Sequence, residues 1–313
     1  MVHETAIGAD ADANLRALGD VITAAMAHYH VPGVAVGILH EGREHYAGFG
    51  VTSVENPLPV TTDTLFQIGS ITKTFTGTVA MRLVETGKLD LDAPVRTYLP
   101  NLRLADEGAA AGVTMRHLLN HTGGWVGDYF DDTGAGDDAL ERIVERMVEL
   151  PQLTPLGQVW SYNNAGFYIA GRVIEVLTGQ PYEAVVRDLI FAPLGMTKSV
   201  FFAGDAITER TAVGHIVRDG VPEVARPWPL ARAAHPAGGI ASTTRDLLRY
   251  ARFQLGDGTS PAGARLLTRA SLDLMQAPAT PAGSANGATG IAWMVRHSGG
   301  VKLVRHSGGT HGQ

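Results

Sequence analysis

Ser70 and Lys73 stand three residues apart in the stretch Phe66-Gln67-Ile68-Gly69-Ser70-Ile71-Thr72-Lys73. A serine hydroxyl becomes a useful nucleophile only when a neighbouring base takes its proton. Residues three apart on a helix share a face, with β-carbons ~5–6 Å apart, so the lysine can reach the hydroxyl. It can act as a base only if burial or a nearby positive charge lowers its pKa. The flanking Phe66, Ile68, Phe75 and Val79 offer apolar cover. Ser70 would also begin the helix, where free backbone N–H groups favour a developing oxyanion. Alone the pattern is common, since roughly one S-x-x-K arises by chance in a chain of this size. A helix start with a solvated lysine explains it as well.

Two further clusters carry chemistry. Trp160-Ser161-Tyr162-Asn163-Asn164 stands just before a helical stretch that begins at Ala165. A phenol with a pKa of ~10 can shuttle a proton if a lysine ammonium stabilises its anion. An adjacent Asn can donate to a substrate carbonyl or hold a lysine in place. The plainer alternative is an Asn helix cap beside a packed aromatic. His306-Ser307-Gly308-Gly309 closes a late strand. Glycines there let a substrate backbone approach, an edge N–H can serve an oxyanion, and His306 can meet a substrate carboxylate or relay protons.

The elements that must position these residues follow from periodicity. Leu15, Leu18, Ile22 and Met26 predict an amphipathic helix over Asn14–His30, ended by Pro32-Gly33. Val34–Leu39 and His45–Phe49 read as a hairpin turning at Glu41-Gly42. A helix runs from Ser70 to about Thr86, with Phe75, Val79 and Leu83 as its buried stripe and Gly87 as its C-cap. Helical stretches follow at Met115–Leu119, Ala139–Leu150, Ala165–Leu177, Tyr182–Ile190, Thr244–Gln254 and Thr268–Met275. Gly290–Val295 and Val301–His306 read as a second hairpin across Ser298-Gly299-Gly300. The repeated Arg-His-Ser-Gly-Gly at Arg296 and Arg305 is local similarity across that hairpin, because solenoids need at least three units. The expected class is α+β: one antiparallel sheet built from residues 1–60 and 285–313, a mainly helical region over 61–284, and the active site between them.

Composition narrows the functions. The 313 residues are 45% hydrophobic and 18% charged, as in a globular chain, with net charge −6 and no Lys/Arg run. No nucleic-acid partner is expected. The absence of cysteine excludes disulfides, thiolate metal sites and a Cys nucleophile. No apolar run reaches the ~20 residues of a membrane span. The start lacks a signal-peptide pattern, which predicts a cytoplasmic protein, although a mature secreted chain would look the same. His117 and His121 are four apart but lack the Glu of H-E-x-x-H, so no metal is expected, and no phosphate-binding glycine motif suggests a nucleotide cofactor. Trp125, Asp128 and Tyr129 are candidates to line a cleft.

The order of these motifs resembles the serine β-lactamase and penicillin-binding-protein superfamily, nearest its branch of class C β-lactamases, D,D-peptidases, D-aminopeptidases and esterases. The likeness runs from about residue 15 to the end. It rests on the Phe66–Phe75 stretch, Arg116-His117-Leu118-Leu119-Asn120-His121-Thr122-Gly123-Gly124, Tyr162-Asn163-Asn164-Ala165-Gly166, Pro193-Leu194-Gly195-Met196-Thr197, Ala237-Gly238-Gly239-Ile240-Ala241-Ser242-Thr243 and His306-Ser307-Gly308-Gly309-Thr310. The resemblance implies that Ser70 is acylated, that Lys73 is its base or the base's partner, and that Tyr162 relays protons. It matches Asn164, not Asn163, to the Asn of the Tyr-x-Asn motif. It implies an oxyanion hole from the Ser70 and Gly309 N–H groups, in the strand end that also carries Gly308. No cofactor is implied.

Two departures shape the expectation. His306 stands where β-lactamases carry Lys, which disfavours efficient β-lactamase action and looks more like the peptidases and esterases. No Ser-Asp-Asn element or class A deacylating Glu is evident, so deacylation should depend on Tyr162 and Lys73. Relatives continue beyond the His-x-Gly strand with more strands and a C-terminal helix, whereas this sequence stops at Gln313. A C-terminal fragment or second chain is therefore expected to complete the sheet. The expected function is a serine hydrolase acting on small esters or amides, such as D-amino-acid peptides or short-chain esters. Acyl transfer is open to the same intermediate. The alternatives are a β-lactamase or penicillin-sensitive D-Ala-D-Ala carboxypeptidase and, in another class, a non-catalytic ligand-binding relative.

Overall fold

The computed structural model describes residues 13–283 and 287–313. Helix α1 (Ala13–Tyr29) leads into strands β1 (Gly33–His40) and β2 (Arg43–Gly50), paired from Gly33↔Gly50 to His40↔Arg43. Their turn needs left-handed backbone at both central positions, Glu41 (φ 50°) and Gly42 (φ 78°), the geometry that matches strand twist in a two-residue hairpin. Phe66–Gln67 pairs with Ala241–Ser242 and delivers the chain into a short 3₁₀ turn, Gly69–Ile71, then helix α2 (Thr72–Glu85).

Helix α2 is the centre of the molecule. A single buried stripe was expected, but every residue from Thr72 to Met81 is buried. The sequence disguises this because Thr72, Thr74, Thr76 and Thr78 read as polar. Buried hydroxyls are tolerated when paired. Thr76 Oγ1 donates to the Pro236 carbonyl at 2.7 Å, and so accepts from the Tyr182 hydroxyl, also at 2.7 Å. Thr78 Oγ1 donates to the Thr74 carbonyl at 2.9 Å and meets the Tyr250 hydroxyl at 2.8 Å. Phe75 stacks on Tyr250 with ring centroids 3.9 Å apart. The helix Ala165–Thr178 packs alongside through Phe167, Ile169, Ala170, Val173 and Ile174. Gly171 allows the Pro236 ring to come close, since a β-carbon there would lie 2.3 Å from it. The turn His235–Gly238 is clamped from behind by Glu183, which accepts from His235 Nδ1 at 2.6 Å and from Arg232 Nε at 3.1 Å.

The C-terminal strands form a four-stranded antiparallel sheet in the order Val301–Arg305, Met294–Ser298, Gly287–Thr289, Thr280–Pro281. The hairpin turns at Gly299 (φ 56°) and Gly300 (φ 79°). Its first strand begins at Met294, not at Gly290 as expected. Ile291 and Ala292 are apolar because they pack into the helical core, where their N–H groups donate to Met275 and Leu119 carbonyls. The α+β class with antiparallel sheets is as expected. Among the described residues the β1–β2 pair and the C-terminal strands form two antiparallel ladders. No helix among the described residues is long and apolar enough to cross a membrane.

Candidate active site

Ser70 sits where two backbones touch. Gly69 adopts φ 49°, and a β-carbon on it would lie 2.6 Å from the Gly309 nitrogen. A β-carbon on Gly308 would lie 1.9 Å from the Ile68 carbonyl oxygen and 3.1 Å from the Ser70 nitrogen. Glycine at 69 and 308 is therefore what lets the late strand end press on the serine turn. The Ser70 and Gly309 amides are brought to one place from residues far apart in sequence.

One turn on, Lys73 is fully buried, at 0% exposure. Its Nζ lies 2.9 Å from Ser70 Oγ and donates to Asn164 Oδ1 and to the Ala237 carbonyl, each at 2.7 Å. It also rides 4.9 Å from the Tyr162 ring centroid and 5.3 Å from that of Phe167. Burial pulls the Lys73 pKa down to about 7, against the opposing pull of the Asp128 charge. The geometry suits both protonation states. The ammonium donates to all three partners. The neutral amine spends its two N–H groups on the two carbonyl acceptors, which cannot donate, and turns its lone pair to the Ser70 hydroxyl.

The two asparagines divide their work. Asn163 Oδ1 accepts from the Gly166 N–H at 2.8 Å and Asn163 Nδ2 donates to the Trp125 carbonyl at 2.9 Å, so Asn163 is the helix-start cap. Asn164 holds Lys73 with one end and donates to Asp128 Oδ1 at 2.8 Å with the other. Tyr162 lies on the His121 ring, centroids 4.5 Å apart, and the His121 Nδ1 accepts from Asn163 N at 3.0 Å. Burial pushes the Tyr162 pKa up to about 12, with a hydrogen bond to Ser70 opposing and the Asp128 charge adding to the rise. Because Nζ stands over the ring face and burial favours the neutral phenol, a lysine-stabilised phenolate is not the resting arrangement here.

His306 has its ring centroid 6.3 Å from that of Tyr162. Its Nδ1 is 2.6 Å from the Ser307 carbonyl, which can only accept, so Nδ1 carries the proton and Nε2 offers a lone pair. Nε2 is buried without a partner. Burial first, then the nearby Lys73, lower the His306 pKa to about 4, so this imidazole is neutral at neutral pH. Ser70, Tyr162, His306, Gly308 and Gly309 line one cavity of about 470 Å³.

The structure therefore gathers Ser70, Lys73, Tyr162, Asn164, His306, Gly308 and Gly309, as the sequence predicts. It adds the Ala237 carbonyl on Lys73 and Arg296 and Arg305 in the cavity wall, and it places Asp128, a candidate to line the cleft, behind Asn164 instead of in the wall. A backbone carbonyl carries no side-chain signature. The two arginines were legible only from register: Arg296 opposes Leu303 and Met294 opposes Arg305, which sets both arginines on one sheet face. Trp125 does not line the cleft. It is buried beneath Gly123, where a β-carbon would lie 2.5 Å from its ring. His117 caps its own helix, accepting from Thr114 N at 3.2 Å, while His121 lies under Tyr162, so the pair does not converge.

Comparison with known proteins gives the family of the chain. The family model described as Beta-lactamase matches residues 18–313. A penicillin-binding protein 4 from Amycolatopsis lactamdurans is 41% identical over 250 residues, 79% of this chain and 66% of that protein. The esterase EstB of Burkholderia gladioli is 34% identical over 238 residues, 71% of this chain and 59% of the esterase. Among solved structures, the octameric penicillin-binding protein homologue from Pyrococcus abyssi superposes with a TM-score of 0.80 at 28% identity, covering 95% of this chain and 68% of that one. A D-amino acid amidase from Ochrobactrum anthropi gives 0.77 at 28% identity, covering 95% and 85%. The chain spans about three fifths to two thirds of the length of the curated relatives it matches.

Proposed function

This chain belongs to the β-lactamase family of serine hydrolases, and from that premise we propose that it forms an acyl-enzyme on Ser70 with small esters or amides. The observation that carries the reading is the buried Lys73 amine held by two carbonyl acceptors with its third position on Ser70 Oγ. Lys73, not Tyr162, takes the serine proton, because its pKa lies near neutrality while that of Tyr162 lies far above. Oγ attacks the carbonyl carbon, and the Ser70 and Gly309 N–H groups hold the oxyanion. On collapse the bond to the leaving atom breaks, and that atom takes a proton from the Tyr162 hydroxyl, which is replenished from the Lys73 ammonium. Water then repeats the sequence on the acyl carbon and frees Ser70. Ester and amide substrates are suggested by the relatives named as an esterase and a D-amino acid amidase.

Arg296 and Arg305 favour a second reading, in which the leaving group is anionic, as in a carboxypeptidase. Both line the Ser70 cavity, and neither takes part in an ion pair among the described residues. The test is to mix the protein with a fluorophosphonate and, separately, with penicillin, and to locate added mass by peptide mass spectrometry with Ser70→Ala as control. Phosphonate on Ser70 supports the activated serine, and a folded protein that takes up none contradicts it. Persistent penicillin mass favours the carboxypeptidase-like reading, while phosphonate labelling alone favours the esterase or amidase one.

A further inference from the structure

Asp128 lies outside the cavity wall yet is tied to the centre of the site. Gly127 packs tightly against the residues after Tyr162: a β-carbon on it would lie 2.5 Å from the Tyr162 carbonyl oxygen. Its own carbonyl accepts from both Asn164 N (3.1 Å) and Ala165 N (3.0 Å). This double tie sets the exposed Asp128 carboxylate against the Asn164 amide. An Asn amide has an accepting end and a donating end, and which way it points is decided by its partners. An ionised carboxylate can only accept. It therefore claims Asn164 Nδ2 and leaves Oδ1 facing Lys73. With the Ala237 carbonyl as the other acceptor, both N–H bonds of the neutral amine are assigned and its lone pair has one direction left, toward Ser70 Oγ.

We propose that Asp128 is a positioning residue for the acylation step: acting through Asn164, it aims the Lys73 lone pair at the Ser70 hydroxyl. This deepens, and rests on, the assignment of Lys73 as base. A carboxylate so near the lysine also favours the ammonium, so Asp128 trades base availability for aim. The other titratable groups facing Lys73 are Tyr162 on its ring face, His121 beneath Tyr162, and His306 across the cavity, while Tyr168 also feels the Asp128 charge.

Two readouts test this in the full chain. The first is NMR titration of ¹³C-lysine-labelled protein, which has only four lysines, with Lys73 assigned through Lys73→Arg. The second is the rate of Ser70 labelling by a fluorophosphonate. In Asp128→Ala the Lys73 midpoint should move to lower pH, and labelling at high pH should slow about tenfold to a hundredfold, the scale of a misaimed catalytic group. Asp128→Glu should restore much of both. An unmoved midpoint with unchanged labelling overturns the proposal. So does slowed labelling with an unmoved midpoint and no rescue by Glu, which is what mere loop damage gives. If the unmutated protein takes up no probe, the acylation reading fails, while the NMR midpoint still decides whether Asp128 acts on Lys73.

Discussion

The two halves of the site are built to different standards. On the α2 side, Ser70 in its 3₁₀ turn and Lys73 in the helix stand beside buried threonine and tyrosine hydroxyls that are paired inside the core. On the other side, Val301 to Gly309 is mostly exposed, and His306 ends with a buried nitrogen that nothing satisfies. The nucleophile and its base are fixed by packing. The substrate-facing strand end is held by close backbone contact at Gly69 and Gly308. A core of this kind resists change at the cost of tolerance, whereas a strand end leaves polar groups free for a ligand. Damage to the packing around the first side should show in folding, whereas damage to the reacting groups themselves or to the second side should show in rate.

The largest expected effect is on the chemistry itself. Ser70→Ala should abolish labelling, and Lys73→Met should cut it by about 10²–10⁴-fold, the usual worth of a general base, while circular dichroism stays native. Next comes the strand end. Gly308→Ala puts a methyl 1.9 Å from the Ile68 oxygen, so the strand must retreat from Ser70. Labelling should fall roughly a hundredfold for a displacement near 1 Å, with a modest change in melting temperature. A Gly308→Ala protein that labels normally breaks the proposed contrast.

On the core side the order reverses. Thr76→Val keeps the shape but strands the Pro236 carbonyl and the Tyr182 hydroxyl, and should cost about 1–3 kcal/mol by urea denaturation with little change in labelling rate. The pH dependence of stability sharpens the comparison further. Lys73 has a folded pKa lowered to about 7, below its usual 10.5, so between those values the unfolded chain binds more protons and stability rises with pH. Tyr162, raised from 10 to about 12, acts oppositely at still higher pH, where stability falls again. Thermal melts of the unmutated protein and Lys73→Met should differ in slope over the first window. The smallest effect belongs to His306. Held neutral by a pKa of about 4, it should not set the acid limb of activity near pH 7, and His306→Asn should leave that limb in place.

Much of this was legible beforehand, for reasons that are local. The Ser70–Lys73 spacing, the turn at Glu41-Gly42 and the helix starting at Ala165 are written in neighbouring residues. What stayed hidden depends on distant partners. Thr76 reads as a surface residue until Tyr182 and Pro236 are seen beside it. Ile291 and Ala292 read as strand because core and strand both favour apolar residues. Asp128 reads only as a candidate to line the cleft, and its hold on Asn164 shows once Gly127 ties its loop to the start of the 165–178 helix.

The central claim is that a buried lysine, neutral near physiological pH, activates Ser70. The most direct test is the second-order rate of phosphonate labelling at Ser70 followed from about pH 5 to about pH 9, the range in which such a group changes charge. The account predicts a rise with its midpoint near the Lys73 pKa of about 7 and loss of that limb in Lys73→Met. A flat profile, or a Lys73→Met protein that labels as fast as the unmutated one, would contradict it.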